Sequence, residues 1–282
     1  MLFILVLPLL ALTLDCQRIT EVENDVIRKK CGVRSLKRKG HFKIFGGRGV
    51  RSGEYPWLVQ IITSKHLGGI IFDDTCTGSL ISPRHVLTAA HCVTNYDGNP
   101  APCDGTERAF NYSIVKPQFL EVYPGTFCRH QEDCKNRQQV RKVIVHKNWK
   151  GCVPSSVFFG HELQVHDLAI LELKKNISYE EAVPICLPSE NLLLRHALHG
   201  AGSGRDSKSE DPGLKVATLT LYAEEPLSPI ILTSSKDTSA CGGDSGGPLF
   251  QLGPKGRFVI VGVLSVETFL SHGKYYEYHI ME

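Results

Sequence analysis

The sequence predicts an all-β protein, a sandwich or barrel of short strands. Three observations lead there. From residue 44 onward, short runs dense in Val, Ile and Leu recur between turn residues, the pattern of buried or half-buried strands. Long helical periodicity is scarce, and no internal repeat of solenoid length is visible. The chain has 282 residues, 42% hydrophobic and 22% charged. That composition excludes a disordered, collagen-like or coiled-coil chain and suffices for a sizeable core.

Residues 1–14, MLFILVLPLLALTL, are apolar throughout and too short to span a bilayer comfortably. At the N-terminus such a run reads as a signal peptide, which predicts a secreted, extracellular protein. Residues 15–43 hold nine Lys/Arg against four Asp/Glu, in a chain whose net charge is only +3. The basic excess is therefore confined to this segment. An exposed Lys/Arg run is readily reached by proteases, so 15–43 reads as a pro-segment. A net charge this small gives no argument for nucleic acid as a partner. No run is long enough for a stable membrane span.

Examples of the expected strands lie at 57–63, 85–88, 139–146, 168–173, 215–222 and 257–266. Residues 20–30 read as one or two amphipathic helical turns. Residues 94–137 read as a long loop rich in Gly, Pro, Asn and aromatics, of a length that calls for staples or a function. Residues 199–213 read as a second polar loop or a linker between two halves. The ten cysteines are Cys16, Cys31, Cys76, Cys92, Cys103, Cys128, Cys134, Cys152, Cys186 and Cys241. No pair has C-x-x-C spacing, so zinc-ribbon and thioredoxin-like readings lack support. An even count behind a signal peptide suggests disulfides. Asn111 and Asn176 open N-x-S sequons, which predict glycosylation in an exported chain. No cofactor or metal motif is present, so none is expected.

Three segments carry chemistry: Leu87-Thr88-Ala89-Ala90-His91-Cys92, His166-Asp167-Leu168-Ala169-Ile170-Leu171, and Cys241-Gly242-Gly243-Asp244-Ser245-Gly246-Gly247-Pro248. A nucleophilic serine needs an exposed oxygen on a tight turn and nearby backbone N–H groups for a developing oxyanion. Glycines permit that turn. The serine hydroxyl needs a base, and His titrates in the right range. The base needs a carboxylate to fix its tautomer. Taken singly, each segment is more often structural. Together, in the order His, Asp, Ser, they match the chain order of one known triad.

These segments resemble those of the chymotrypsin/trypsin-type serine proteases, the S1 peptidases. Lys43-Ile44-Phe45-Gly46-Gly47 resembles the activation site, followed by Glu54-Tyr55-Pro56-Trp57. Thr75-Cys76-Thr77-Gly78-Ser79-Leu80-Ile81 resembles the strand before the catalytic His. Pro184-Ile185-Cys186-Leu187-Pro188 resembles the inter-barrel connection. Six segments in one order cover most of residues 31–266. The basic pro-segment and the Cys-rich insertion resemble those of nematode members.

The resemblance implies two packed antiparallel β-barrels: a peptidase domain over 44–282, with the first barrel at about 44–186 and the second at about 187–282. It implies a secreted serine-type endopeptidase made as a zymogen. His91 would be the base, Asp167 its orienting acid and Ser245 the nucleophile, with an oxyanion hole at Gly243 and Ser245. Cleavage after Lys43 would free the amine of Ile44 to pair with Asp244. Cys76–Cys92 and Cys31–Cys186 would be disulfides. The implied partners are a protein or peptide substrate, an activating protease that cuts after Lys43, and a protein inhibitor.

The departures lie mostly in the second barrel. It looks abbreviated, and the family's C-terminal helix has no counterpart in the sequence. No cysteine follows Cys241 to close the usual pocket bridge. The pocket residues implied by position are Ser239, Ser265, Val266, Glu267 and Gly273. Ser239 stands where trypsin-like members carry Asp, and Glu267 where glycine is usual. These departures motivate a second function class, a catalytically impaired protease-like binding protein.

Overall fold

Strand pairing closes two sheets and leaves the candidate residues at the seam between them. The structure, a computed structural model, describes residues 18–34, 48–50, 53–67, 69–96, 111–125, 136–151, 166–204, 214–224, 230–235, 242–270 and 273–279.

Helix α1 (Glu21–Lys30) comes first. Thr20 Oγ1 accepts the Glu23 N–H at 3.2 Å, and the Glu23 carboxylate accepts the Thr20 N–H at 2.8 Å. This capping box satisfies two donors that a helix start leaves orphaned. Acids in the first turn and Arg28, Lys29 and Lys30 in the last complement the dipole. The helix is 10 residues long, more than the one or two turns expected.

The helix is fastened to the body. Arg84 Nη1 and Nη2 donate to the Glu23 carboxylate at 2.7 and 3.3 Å. Arg84, then Thr20, hold the Glu23 carboxyl down to about 2. Lys30 lies over the Tyr179 ring at 4.4 Å, and Arg34 lies over Tyr55 and Phe258 at 4.8 and 4.5 Å. A disulfide joins Cys31 to Cys186.

The first half of the body contains β1 (Arg48–Gly49), β2 (Leu58–Leu67), β3 (Ile70–Ser82), β4 (His85–Thr88), β5 (Thr94–Tyr96), β6 (Tyr112–Ile114), β7 (Leu120–Pro124), β8 (Gln138–Val145) and β9 (Ala169–Leu173). A closed barrel runs β2-β3-β4-β9-β8-β7, and β5 and β6 pair separately. Closure removes unpaired strand edges. Ile61, Leu80, Val86, Val122 and Leu171 share one face of these strands by register and are fully buried.

The second half contains β10 (Ala197–Gly202), β11 (Lys215–Glu224), β12 (Ile230–Ser235), β13 (Pro248–Leu252), β14 (Phe258–Leu270) and β15 (Gly273–His279). With β1 they form a seven-stranded sheet ordered β1-β11-β10-β13-β14-β15-β12. A further β11–β12 pairing links its far end back, so β10 to β15 make a closed circuit. The fold is thus the all-β double barrel that was expected. Among the described residues α1 is the only α-helix, and none is long and apolar enough to cross a membrane.

The two halves share one aromatic cluster. Tyr55 and Trp57, ahead of β2, meet Phe250 of β13 and Phe258 of β14 at 5.2–5.8 Å. Most of these contacts are edge-on, the favoured arrangement for aromatic rings. The connecting segment is wedged between the halves: Ile185 N–H donates to Leu80 C=O at 2.9 Å, and Cys186 bridges Val259.

Strand β4 coincides with the expected run 85–88, and the other expected runs hold within a few residues. Two loop expectations need correction. The 94–137 stretch contains β5, β6 and β7, and the 199–213 stretch begins inside β10. Strands β12 and β15 were not anticipated. They pair with each other along their length, Ile230↔His279 to Ser235↔Lys274.

Candidate active site

Register brings His91 and Asp167 together. Strands β4 and β9 are neighbours, with Thr88 paired to Ala169. His91 follows β4 in a 3-10 turn, Ala90–Val93, and Asp167 stands two residues before β9. Ala89 and Ala90, both fully buried, leave room for the turn against the barrel. The Cys76–Cys92 disulfide ties that turn to β3, and Lys65 Nζ donates to the His91 C=O at 3.0 Å while pairing with Asp74 at 2.7 Å.

The Asp167 side chain is completely buried and the His91 side chain is 15% exposed. A buried carboxylate survives only if hydrogen bonds replace its water. Three donors do so. His91 N–H reaches Oδ1 at 2.9 Å; His91 Nδ1 and the Ser265 hydroxyl reach Oδ2 at 2.6 Å each. In a neutral imidazole, a carboxylate that accepts from Nδ1–H leaves Nε2 without a proton, the tautomer that can take one. Asp167 itself centres a three-residue turn, with Leu168 N–H donating to His166 C=O at 2.7 Å. His166 has φ +46° and stacks on His146 at 4.6 Å.

Ser245 lies on the loop before β13. Gly247 N–H turns back to Asp244 C=O at 2.9 Å. Gly243 has φ +108°, a conformation that side-chain-bearing residues rarely adopt. Gly246 is required for space as well: a Cβ there would lie 2.2 Å from Thr88 Oγ1 and 2.3 Å from Thr77 O. Ser245 is half-buried, and its carbonyl accepts the Thr77 N–H at 2.8 Å. Among the described residues, neither the Gly243 nor the Ser245 N–H donates to a protein acceptor, and no hydrogen bond joins Ser245 Oγ to His91. Asp244 accepts the Gly204 N–H at 2.7 Å.

The remaining sequence-derived residues fall in several places. Ser265 was assigned to the pocket. It is a buried residue of β14 whose hydroxyl is committed to Asp167. Val266 and Glu267 continue β14, and Gly273 opens β15. Their register pairs Glu267 with Tyr276 and Gly273 with Leu270. Asn111 and Asn176 are both exposed. Lys43, Ile44, Ser239 and Cys241 lie outside the described residues, as do Cys16, Cys103, Cys128, Cys134 and Cys152.

Sequence reasoning missed Lys65, Thr77 and Ser203. Thr77 and Ser203 are buried hydroxyl residues 126 positions apart that meet at 2.9 Å. No spacing rule connects them. Only the presence of Thr77 between Cys76 and Gly78, inside an otherwise recognisable strand, marked a position worth following.

Comparison with known proteins points the same way as the geometry. The family profile described as Trypsin matches residues 44–280. Similar curated proteins include the CLIP domain-containing serine protease HP8 of Bombyx mori, 30% identical over 84% of this chain and 64% of its own length. The Spaetzle-processing enzyme of Drosophila melanogaster is 28% identical over 80% of this chain and 60% of its own. Phenoloxidase-activating factor 3 of Holotrichia diomphalia is 29% identical over 84% and 67%. The chain thus spans less than two thirds of the first two relatives.

Proposed function

Since the chain belongs to the trypsin family, we propose that it is a secreted serine endopeptidase, made as a zymogen, that cuts proteins through an acyl-enzyme on Ser245. The observation that carries this reading is the His91–Asp167 pair: a 2.6 Å bond from Nδ1 to a fully buried carboxylate with two further donors.

In this mechanism His91 Nε2 takes the Ser245 proton as Oγ attacks the scissile carbonyl carbon. The Gly243 and Ser245 N–H groups receive the oxyanion, since no protein acceptor among the described residues competes for them. The imidazolium, stabilised by Asp167, gives its proton to the leaving amine. Water then enters by the same route and releases the acyl group.

Activation follows from cleavage after Lys43 by a protease that accepts a basic residue. The new Ile44 amine pairs with Asp244, which already receives Gly204 N–H. A buried ion pair of this type selects a loop conformation more than it adds stability. The Cys31–Cys186 bond keeps α1 attached after the cut. The names of two relatives, a Spaetzle-processing enzyme and a phenoloxidase-activating factor, fit a substrate that is itself a protein precursor. A protein inhibitor is the natural counterpart, and exposed Asn111 and Asn176 suit glycosylation in an exported chain.

The test is labelling of the protein with a fluorophosphonate probe before and after cleavage at Lys43, with Ser245→Ala as control. Labelling that requires both cleavage and Ser245 is expected. A folded, cleaved protein that takes no label overturns the proposal in favour of a protease-like binding protein.

A further inference from the structure

We infer that Thr77 is a positioning residue for the nucleophile loop, holding from the first barrel the two carbonyls that flank Asp244 and Ser245. The inference rests on the proposed function and concerns a residue outside the triad.

Thr77 sits in β3 and is fully buried. Its N–H donates to Ser245 C=O at 2.8 Å, and its hydroxyl donates to Gly243 C=O at 2.8 Å. One residue thus grips the loop on both sides of the nucleophile. Ser203 completes the arrangement. Its N–H donates to Thr77 Oγ1 at 2.9 Å, and its own Oγ lies 2.9 Å from Thr77 Oγ1 and 3.3 Å from Gly243 O. The next residue, Gly204, donates its N–H to Asp244 Oδ1. The bonds form a circuit through Thr77, Ser203, Gly204, Asp244 and Gly243.

A hydroxyl has one proton to give and two lone pairs. Thr77 Oγ1 donates to Gly243 C=O and accepts the Ser203 N–H, and its second lone pair faces the Ser203 hydroxyl, whose proton can go there or to the Gly243 C=O. The Thr77 carbonyl takes the Thr88 hydroxyl at 2.8 Å. Satisfied buried networks of this kind fix one geometry, and a missing member leaves a buried partner unmatched. The point matters at Gly243, whose φ of +108° gives it no steric hold of its own. Fixing its carbonyl fixes the 243–244 peptide, and with it the direction of the N–H groups on either side.

The test compares full chains, cleaved at Lys43, carrying Thr77→Val, Thr77→Ser or no change. Two readouts are used: turnover of a fluorogenic peptide with inhibition by a peptidyl boronic acid, and amide hydrogen exchange over residues 242–250. Thr77→Val is expected to lower kcat about tenfold or more with KM within about twofold, and to weaken the boronate by the same factor. Exchange over 242–250 should quicken, and Thr77→Ser should restore all three. Wild-type kcat and exchange in Thr77→Val overturn the inference, as does a loss confined to KM or to melting temperature. If Thr77→Val does not fold, Ser203→Ala carries the same expectation at about threefold, since it removes only the Oγ contacts. Exchange needs no turnover. An unlabelled wild type whose loop still loosens in Thr77→Val would therefore sink the endopeptidase reading and leave the positioning role standing.

Discussion

Replacing Asp167 by Asn keeps the shape of the side chain and removes its charge, and the hydrogen bonds around it dictate the outcome. The carboxylate accepts three: Oδ2 takes His91 Nδ1–H and the Ser265 hydroxyl, and Oδ1 takes the His91 backbone N–H. An amide has one acceptor atom. If its oxygen takes the place of Oδ2, its NH2 faces the His91 N–H, two donors against each other at a fully buried side chain. If its NH2 takes the place of Oδ2, Nδ1 must accept, and the imidazole then carries its proton on Nε2. That tautomer cannot take a proton from Ser245. Either way the base is lost or misplaced. The expected loss is roughly 10⁴-fold in kcat, about 5 kcal/mol of transition-state stabilisation, with little change in KM. The assay is kcat on a peptide substrate near neutral pH, with near-ultraviolet circular dichroism to verify folding. Ser265→Ala is the companion variant. It removes one donor, leaves both His91 bonds in place, and should cost about tenfold. A folded Asp167→Asn protein that loses less than about tenfold would refute the role given to Asp167.

If the proposed triad acts as a unit, His91→Ala and Ser245→Ala should each abolish most turnover while the double change adds little; additive losses in kcat would contradict that. Removing the Cys31–Cys186 disulfide by Ser at both positions opens a loop with a sequence separation of 155. Loop-closure entropy then predicts a loss of about 5 kcal/mol in the uncleaved chain, read as a urea midpoint shift, and a change below about 1 kcal/mol would reject the estimate. Glu23 has a folded pKa of about 2 against an unperturbed 4.5. A depressed carboxylate stabilises fully above its unfolded value, so the hold of α1 on Arg84 should weaken as pH falls from about 4.5 toward 2. His85 is held below its usual value by burial and then by Arg84. Comparison with Glu23→Gln isolates Glu23: that variant should show no extra pH dependence in this window by hydrogen exchange over residues 18–34.

The parts of this structure legible in the sequence were those with strong local signals. Strand β4 was placed to the residue because all four of its side chains are buried. Residues 112–114 were taken for loop because that strand is solvent-facing, with Ser113 and Ile114 exposed. Strands β12 and β15 also pair with their chain neighbours β11 and β14, but their pairing with each other joins segments far apart in sequence, a non-local condition that no window of residues reveals. The same division holds at the site. His91, Asp167 and Ser245 stand in recognisable neighbourhoods, so they were readable as candidates. The commitment of Ser265 to Asp167, across 98 residues, was not, since strand alternation alone does not say which of two faces meets the acid. The Thr77–Ser203 contact is hidden for the same reason.

The site belongs to neither barrel alone. His91 and Asp167 come from the first and Ser245 and Ser265 from the second, so their meeting depends on how the barrels dock. The docking rests on the Thr77 bonds, the Cys186 bridge and the aromatic cluster. Phe250 is the centre of that cluster: it is fully buried and meets Tyr55, Trp57, Phe258 and His199 at 5.2–5.8 Å. Phe250→Ala should cost about 3–5 kcal/mol through the cavity it leaves. Because the cavity opens at the seam, activity should be lost at lower urea than far-ultraviolet circular dichroism, which reports the strands within each barrel. Coincident loss of the two signals, at whatever midpoint, would mean that the barrels unfold as one unit and that docking is not the weaker link.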